Sequence, residues 1–300
     1  MQKASLDPGL TEKFSAPVRR IINSDGSFNV RRRGGTWRDF HPYMSLINMR
    51  WPAFLATVFL AYLVANTIFA AGFYALGTDQ LQGVTDPTRF GRYLEAFFFS
   101  AHTLTTVGYG NIAPRGTGAS VLSAFEAFTG VLGFAVATGL LYGRVSRPSA
   151  RIGFSSQMLV APYQDGSSLQ FRVVNLRRND LMELQATVTL MTIEPGRNAR
   201  YQILRLERPQ VTFFPLTWTV VHPIDADSPL DGLTAADLER VQAEVIVLLK
   251  GYDDTFSQTV LARHSYKHDE LVWNRRFAPA FYVDTRGDLI LDIGKVSDLA

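Results

Sequence analysis

Five consecutive residues, Thr106, Val107, Gly108, Tyr109 and Gly110, combine chemistry that few short strings carry. A cation gives up its water only where oxygen ligands replace the hydration shell at similar cost, and an extended backbone with successive carbonyls aimed at one axis supplies them. Gly108 and Gly110 suit that role because glycine readily takes the positive φ that keeps neighbouring carbonyls turned to one side. Thr106 adds a hydroxyl oxygen at one end. One chain furnishes one wall of such a ladder, so four copies around an axis are required, and a homotetramer is expected.

The flanks supply the setting that this string needs. Phe54 to Leu76 is apolar apart from Thr57, Asn66, Thr67 and a few small or aromatic residues, enough for one spanning helix at ~1.5 Å rise per residue. Ala119 to Tyr142 is a second such stretch, rich in Gly and Ala and carrying one charge, Glu126. Between them, Ala96 to Thr105 is apolar but too short to cross a bilayer, as expected of a re-entrant pore helix. Irregular backbone at membrane depth is tolerated where protein buries it or where it lines a wet cavity. In this setting the string matches the selectivity filter of potassium channels, with K+ held by Thr106, Val107, Gly108 and Tyr109. K+ is then the transported ion, and no other cofactor is expected.

Basic residues set the orientation. Arg19, Arg20, Arg31, Arg32, Arg33, Arg38 and Arg50 precede the first span, and Arg144, Arg147 and Arg151 follow the second, whereas the loop from Gly77 to Glu95 is closer to charge balance. The positive-inside rule then makes both termini cytoplasmic, in a multi-pass protein of the bacterial inner membrane. No cleaved signal peptide is evident at the start. With no cysteine, disulfides and thiolate metal sites are excluded, and five scattered histidines with no nucleophile or phosphate-binding motif give no enzyme site. A net charge of +3 reflects the arginines flanking the spans rather than nucleic-acid binding.

Beyond Arg147-Pro148 about half the chain remains, and its pattern is β. From Glu183 to Met191, Leu184, Ala186, Val188 and Leu190 alternate with Gln185, Thr187 and Thr189, the period of a half-buried strand. Similar runs fall at 169–174, 217–222, 255–262 and 289–292, while 245–249 reads as a strand buried on both faces. One short helix is announced by Thr234 and Asp237, a capping box before Leu238, Val241 and Val245. Many short strands and few helices indicate an antiparallel, immunoglobulin-like β-sandwich.

From about Trp37 onward the chain resembles the prokaryotic inward-rectifier potassium channels. The matching segments are Trp51-Pro52, Thr106–Gly110, Ala137–Tyr142 with Arg147-Pro148, Asn175–Arg177, His222–Asp225 with Ser228-Pro229, and Ala262–Tyr266 with Asp269-Glu270 and Trp273. The resemblance implies an N-terminal cytoplasmic segment (1–36), an interfacial slide helix (37–51), a two-helix pore domain (52–147) and a cytoplasmic sandwich (148–300) that takes part in gating. In the slide helix, Phe40, Met44 and Ile47 would share one face, with Arg38 and Ser45 turned away; Pro42 weakens a continuous helix unless it sits in the first turn, and an ordinary connector with anchoring aromatics is the alternative. The resemblance also places the inner gate at Tyr142, which an interfacial aromatic belt would explain as well, and a loop that narrows the cytoplasmic pore at Gly251 and Tyr252, where a simple hairpin turn is the alternative; it puts Phe134 where strong rectifiers carry an acid, so rectification is expected to be weak.

A wheel at ~100° per residue puts Val131, Ala135 and Thr138 within about 40° of Tyr142, which makes them the cavity face; Gly139 offers a hinge or a close helix contact. Glu126 falls about 160° away, toward the back of the filter. There it either pairs with His102, or stays neutral or water-bonded while His102 bonds backbone. Arg144, Arg147 and Arg151 stand where anionic lipid headgroups would lie, an arrangement that a plain topology signal also explains. Two further readings are a membrane-anchored binding protein, which has no use for the filter string, and a channel gated by a soluble ligand.

Overall fold

The computed structural model describes residues 9–11, 13, 20–23, 25–31, 33–34, 36, 41–146, 150–177 and 179–300. The chain divides into two compact units, Gly34–Arg147 and Met1–Arg33 with Pro148–Ala300.

The first unit contains α1 (Pro42–Asn48), α2 (Trp51–Leu76), β1 (Leu81–Gln82), α3 (Arg89–Leu104), β2 (Ala113–Pro114) and α4 (Thr117–Val145). With 26 and 29 residues, α2 and α4 are each long enough to cross a hydrocarbon core of about 30 Å. Pro52 sits in the first turn of α2, where a missing N–H costs nothing. The helix before Thr106–Gly110 begins at Arg89 rather than Ala96, capped by Thr88, whose hydroxyl accepts from Gly91 N at 3.0 Å. Its first turns carry Arg89, Arg92 and Glu95, so an apolar window reads only its inner part. Antiparallel pairing of β1 with β2 closes the loop that carries α3 and the filter string.

Within the span expected for the slide helix, α1 covers Pro42–Asn48 with the proline in its first turn, and Trp37 to Phe40, with Arg38, lie outside the described residues. Only Ile47 of α1 is buried; Met44 is exposed beside Ser45.

The second unit is the sandwich. Its elements are β3 (Ile152–Phe154), β4 (Met158–Tyr163), β5 (Gly166–Asn175), β6 (Leu181–Thr192), β7 (Arg200–Ile203), β8 (Gln210–Phe213), β9 (Thr217–Ile224), α5 (Ala235–Arg240), β10 (Glu244–Asp253), β11 (Gln258–Lys267), β12 (Leu271–Trp273), β13 (Phe281–Val283) and β14 (Leu289–Leu291). One sheet runs β11-β10-β6-β7 with β8 also on β6; the other runs β12-β4-β5-β3 with β9 also on β5. All these pairs are antiparallel except β12 with β4. Leu184, Val188, Val247 and Leu249 of the first sheet meet Met158, Phe171 and Val173 of the second in one core.

Leu184, Ala186, Val188 and Leu190 are buried as their alternation predicts, but Thr189 on the opposite face is buried as well. That outer face is covered from afar: Ile21 and Ile22 pack with Met191, Tyr201 and Ile246 in a second cluster. Hydrogen bonds fix the covering segment, with Ile21 N donating to the Glu244 carboxylate at 3.1 Å and Ser265 Oγ donating to Ile22 O at 2.9 Å. The same cover explains why β10 is buried on both faces only at its start, with Leu248 exposed further along. The strand expected at 255–262 begins at Gln258, because 254–257 form the hairpin turn, and the run at 289–292 belongs to the separate β13–β14 hairpin. Thr234 and Asp237 form the capping box of α5, which ends at Arg240 and leaves Val245 to β10.

His264 on β11 stacks on Phe154 at 4.8 Å and lies edge-on to Tyr266 at 4.6 Å, with its Nδ1 buried and unpartnered. Burial, and after it the nearby Arg20 guanidinium, push its pKa down to about 4, and Glu270 opposes them. The unfolded chain takes up this proton near the ordinary 6.5, so stability falls as pH drops from about 6.5 toward 4. By linkage the loss at pH 5 is about 1–2 kcal/mol. Replacement of His264 by Phe is expected to shrink the difference in Tm between pH 7 and pH 5. His222, also depressed by burial, keeps a share of the effect, and an unchanged difference in the variant would exclude His264 as a source.

Candidate functional site

The end of α3 turns directly into the filter string. His102 O accepts from Val107 N at 2.9 Å and Gly108 N at 3.2 Å, and Thr103 O accepts from Thr106 N at 3.0 Å. Thr106, Gly108 and Gly110 have φ of 59°, 54° and 81°, while Val107 and Tyr109 stay at negative φ. Alternation of left-handed and ordinary residues rotates successive peptide planes, so their carbonyls can share one side. Gly108 and Gly110 take this conformation freely; Thr106, a β-branched residue, takes it at a cost of about 1–3 kcal/mol. The C-terminal end of α3 also brings the negative end of its dipole to the string, which favours a cation there.

Two features hold α3 against its neighbours. A Cβ on Gly130 of α4 would stand 1.9 Å from Leu104 O, so only glycine lets α4 approach the last residue of α3 this closely. Behind the string, Glu126 is fully buried and accepts from Ser100 Oγ, which also lies 3.1 Å from Asn66 Oδ1; Asn66 Nδ2 in turn donates to Tyr62 O at 2.7 Å. Helices α2, α3 and α4 are thus joined by a polar cluster in an apolar setting.

The pairing of His102 with Glu126 is corrected by this geometry. Residues two apart on a helix point about 200° apart, so Ser100 facing α4 turns His102 away. The His102 ring instead lies edge-on to Tyr109 at 4.7 Å. The sequence reading gives no supporting role to Ser100 or Gly130, and marks Asn66 only as a polar interruption of an apolar stretch. Asn66 and Ser100 were visible as polar residues in apolar helices, and Gly130 lies one turn beyond Glu126 on the same side of α4.

Along α4, Val131, Phe134, Ala135, Thr138, Gly139 and Tyr142 are all exposed in the single chain, Phe134 at 77% and Tyr142 at 73%. The helix continues through Gly139, around which there is open space, so no contact within this chain requires glycine there. Gly143 differs, since a Cβ there would meet Tyr43 Oη at 2.9 Å and Ile47 Cδ1 at 3.2 Å of α1.

Arg144 is redirected from the lipid headgroup role. Its Nη1 donates to Leu46 O at 2.6 Å and Ile47 O at 2.8 Å, its Nη2 to Met49 O at 2.6 Å, and its guanidinium lies over the Trp51 and Phe54 rings. It caps the carbonyl end of α1, where a cation is favoured by the helix dipole. Arg147 lies outside the described residues, and Arg151 is exposed.

Gly251 and Tyr252 lie within β10 rather than in a loop, opposite Val260 and Thr259 of β11. A bulge between Lys250 and Tyr252 interrupts the pairing with β6, and a Cβ on Gly251 would stand 2.4 Å from Leu184 Cδ1. The glycine therefore serves the approach of a core leucine.

Two helices, each long and apolar enough to cross a membrane, are followed in the chain by a two-sheet β domain. Residues 57–147 match the family model described as "Ion channel", and residues 152–299 match that of the "Inward rectifier potassium channel C-terminal domain". The chain is 37% identical to the inward rectifier potassium channel Kirbac3.1 of Paramagnetospirillum magnetotacticum, over 97% of this chain and 100% of that protein. It is 27% identical to the G protein-activated inward rectifier potassium channel 3 of Mus musculus, over 92% of this chain and 77% of that one. With the ATP-sensitive inward rectifier potassium channel 14 of Homo sapiens it shares 26% identity, over 88% and 66%. The chain belongs to the inward rectifier potassium channel family, a family of channels rather than enzymes.

Proposed function

We propose that this protein conducts K+ passively across a membrane as a homotetramer, with the ions passing between four copies of Thr106–Gly110. The observation that carries this reading is the alternation of left-handed backbone at Thr106, Gly108 and Gly110 at the end of α3. Carbonyls of Thr106, Val107, Gly108 and Tyr109 with the Thr106 hydroxyl are the ion ligands, and desolvated K+ is favoured over Na+ by their number and field strength. No catalytic cofactor is required. Below the filter, Val131, Phe134, Ala135 and Thr138 line the cavity, Tyr142 closes it as an apolar gate, and bending at Gly139 opens it. Gly251 and Tyr252 narrow the cytoplasmic pore from strand positions rather than from a loop.

The protein sits in the bacterial inner membrane with both termini in the cytoplasm, and anionic headgroups meet Arg151 and Arg147. Purified protein in liposomes of defined lipid content tests the reading through rubidium uptake. Uptake that barium blocks, and that sodium does not replace, is the expected result. A sealed vesicle without such flux would favour the membrane-anchored binding protein instead, and lipid dependence without any soluble additive separates lipid from ligand gating.

Phe134 places a bulky apolar ring where a negative charge would trap internal magnesium or polyamines. Phe134→Asp is expected to turn weak rectification steep, read as the ratio of inward to outward current in internal magnesium. A wild type that already rectifies steeply would remove Phe134 from this role.

A further inference from the structure

A helix leaves its last carbonyls and its first N–H groups without partners inside the helix. The end of α2 and the start of α4 meet this problem together, and Gly116, the residue before α4, has no side chain with which to cap it. One amide serves both ends. Gln80 Nε2 donates to Leu76 O at 3.1 Å, in the last turn of α2, and Gln80 Oε1 accepts from Ala119 N at 3.3 Å, in the first turn of α4. The task needs a donor and an acceptor on one short group, which an amide has; a carboxylate only accepts, an ammonium only donates, and a thioether does neither well.

The chain around Gln80 keeps the amide in place. Thr78–Gln80 form a single tight helical turn, and Leu81 after it is buried with Phe69, Phe73, Phe99 and Ala119. Gln80 O accepts from Arg115 N at 2.8 Å and Gly116 N at 3.3 Å. A Cβ on Gly116 would stand 2.5 Å from Gln80 Oε1 and 2.9 Å from its Cγ, and one on Gly118 would stand 3.1 Å from Oε1, so the side chain lies flat on the first turn of α4. Gly116 has an ordinary φ of −90°, and what glycine provides there is room.

The string Thr106–Gly110 is held at its start by the carbonyls of His102 and Thr103. Beyond Gly110 the chain runs through Asn111 and Ile112 into β2, whose Ala113 and Pro114 pair with Gln82 and Leu81 of β1. The far end of the string is therefore moored to the strand that Gln80 leads into. We propose that Gln80 is a positioning residue for ion selectivity: its amide ties α2 to α4, and the tie keeps the mooring of the string, and with it the spacing of the filter carbonyls, fixed. This rests on Thr106–Gly110 being the ion path.

Reversal potentials in planar bilayers, with potassium on one side and sodium on the other, test it. The permeability ratio they give does not depend on how many channels fold or open. Gln80→Met is expected to raise the sodium-to-potassium ratio about tenfold, a size that two lost hydrogen bonds support, while the tetramer assembles and the sandwich keeps its thermal transition. Gly116→Ala should do the same by pushing the amide aside. Gln80→Glu separates the tie from mere bulk. Near neutral pH its carboxylate cannot donate to Leu76 O, and the ratio should match that of Gln80→Met. When the compartments are acidified in turn to about pH 4, below the ordinary carboxyl range, the neutral acid regains both a donor and an acceptor. The ratio should then return to that of wild type at the same pH, with Gln80→Met and Gly116→Ala unmoved. Gln80→Glu carries the test should Gln80→Met fail to assemble, because both of its states are read on one protein. Wild-type ratios in all three variants, or no response of Gln80→Glu to acid on either side, overturn the proposal. A wild type that passes no potassium current removes the ion path itself, and this inference with it.

Discussion

Gly130→Ala is expected to cut rubidium uptake by about tenfold or more while the tetramer still assembles and the sandwich keeps its thermal transition. The added Cβ would lie 1.9 Å from Leu104 O and 2.8 Å from its carbonyl carbon, far inside contact distance. Backbone rather than a flexible side chain stands in the way, so α4 and the end of α3 must separate. Leu104 closes α3, and the filter string hangs from the two residues before it through the carbonyls of His102 and Thr103. A shift of even 1 Å there redirects carbonyls whose aim is their function. Gly133→Ala provides the control: it adds the same methyl one turn along the same helix, where nothing lies within 4 Å, and should conduct like wild type. Wild-type flux in Gly130→Ala would show that close approach of the two helices does not support the filter.

Tyr142→Ala is expected to raise basal flux, by about tenfold if four rings form the resting barrier. The side chain is 73% exposed in the single chain and stands on the same side of α4 as Thr138, Ala135 and Val131. Four such rings converging at the end of an apolar cavity would exclude water, and water-free apolar constrictions block ions without plugging the passage completely. Alanine removes the bulk and leaves the helix intact. Uptake that stays level or falls in an assembled tetramer would move the barrier elsewhere, with Tyr252 the next position to replace.

The parts of the fold that could be read in the sequence are those decided by local periodicity. Leu184, Ala186, Val188 and Leu190 alternate because one face of β6 meets the core. Thr189 could not be read, because what buries its face arrives from Ile21 and Ile22, more than 150 positions earlier. Residue types likewise announced a filter string but not its supports. Glu126 was recognisable as a costly charge in an apolar helix, yet its partner, Ser100, depended on the rotation of α3 about its own axis. Arg144 read as one of several basic residues after a span; only the path of the chain brings the end of α1 under its guanidinium. Gly139 is legible in the sequence as a hinge or a close helix contact; the structure puts the second use at Gly130, Gly143 and Gly251, as gaps into which Leu104, Ile47 and Leu184 fit.

The cover that Ile21 and Ile22 lay on the sandwich has a topological consequence. Because residues on both sides of Gly34–Arg147 belong to one compact unit, the pore is an insertion in the chain of the sandwich rather than a domain preceding it. Each copy therefore forms a closed loop of backbone, leaving the sandwich before α1 and rejoining it after α4. A domain attached at one end can twist about its single link without doing work on the rest. Here both ends of Gly34–Arg147 return to the same compact unit, so the two units are joined by two covalent links rather than one.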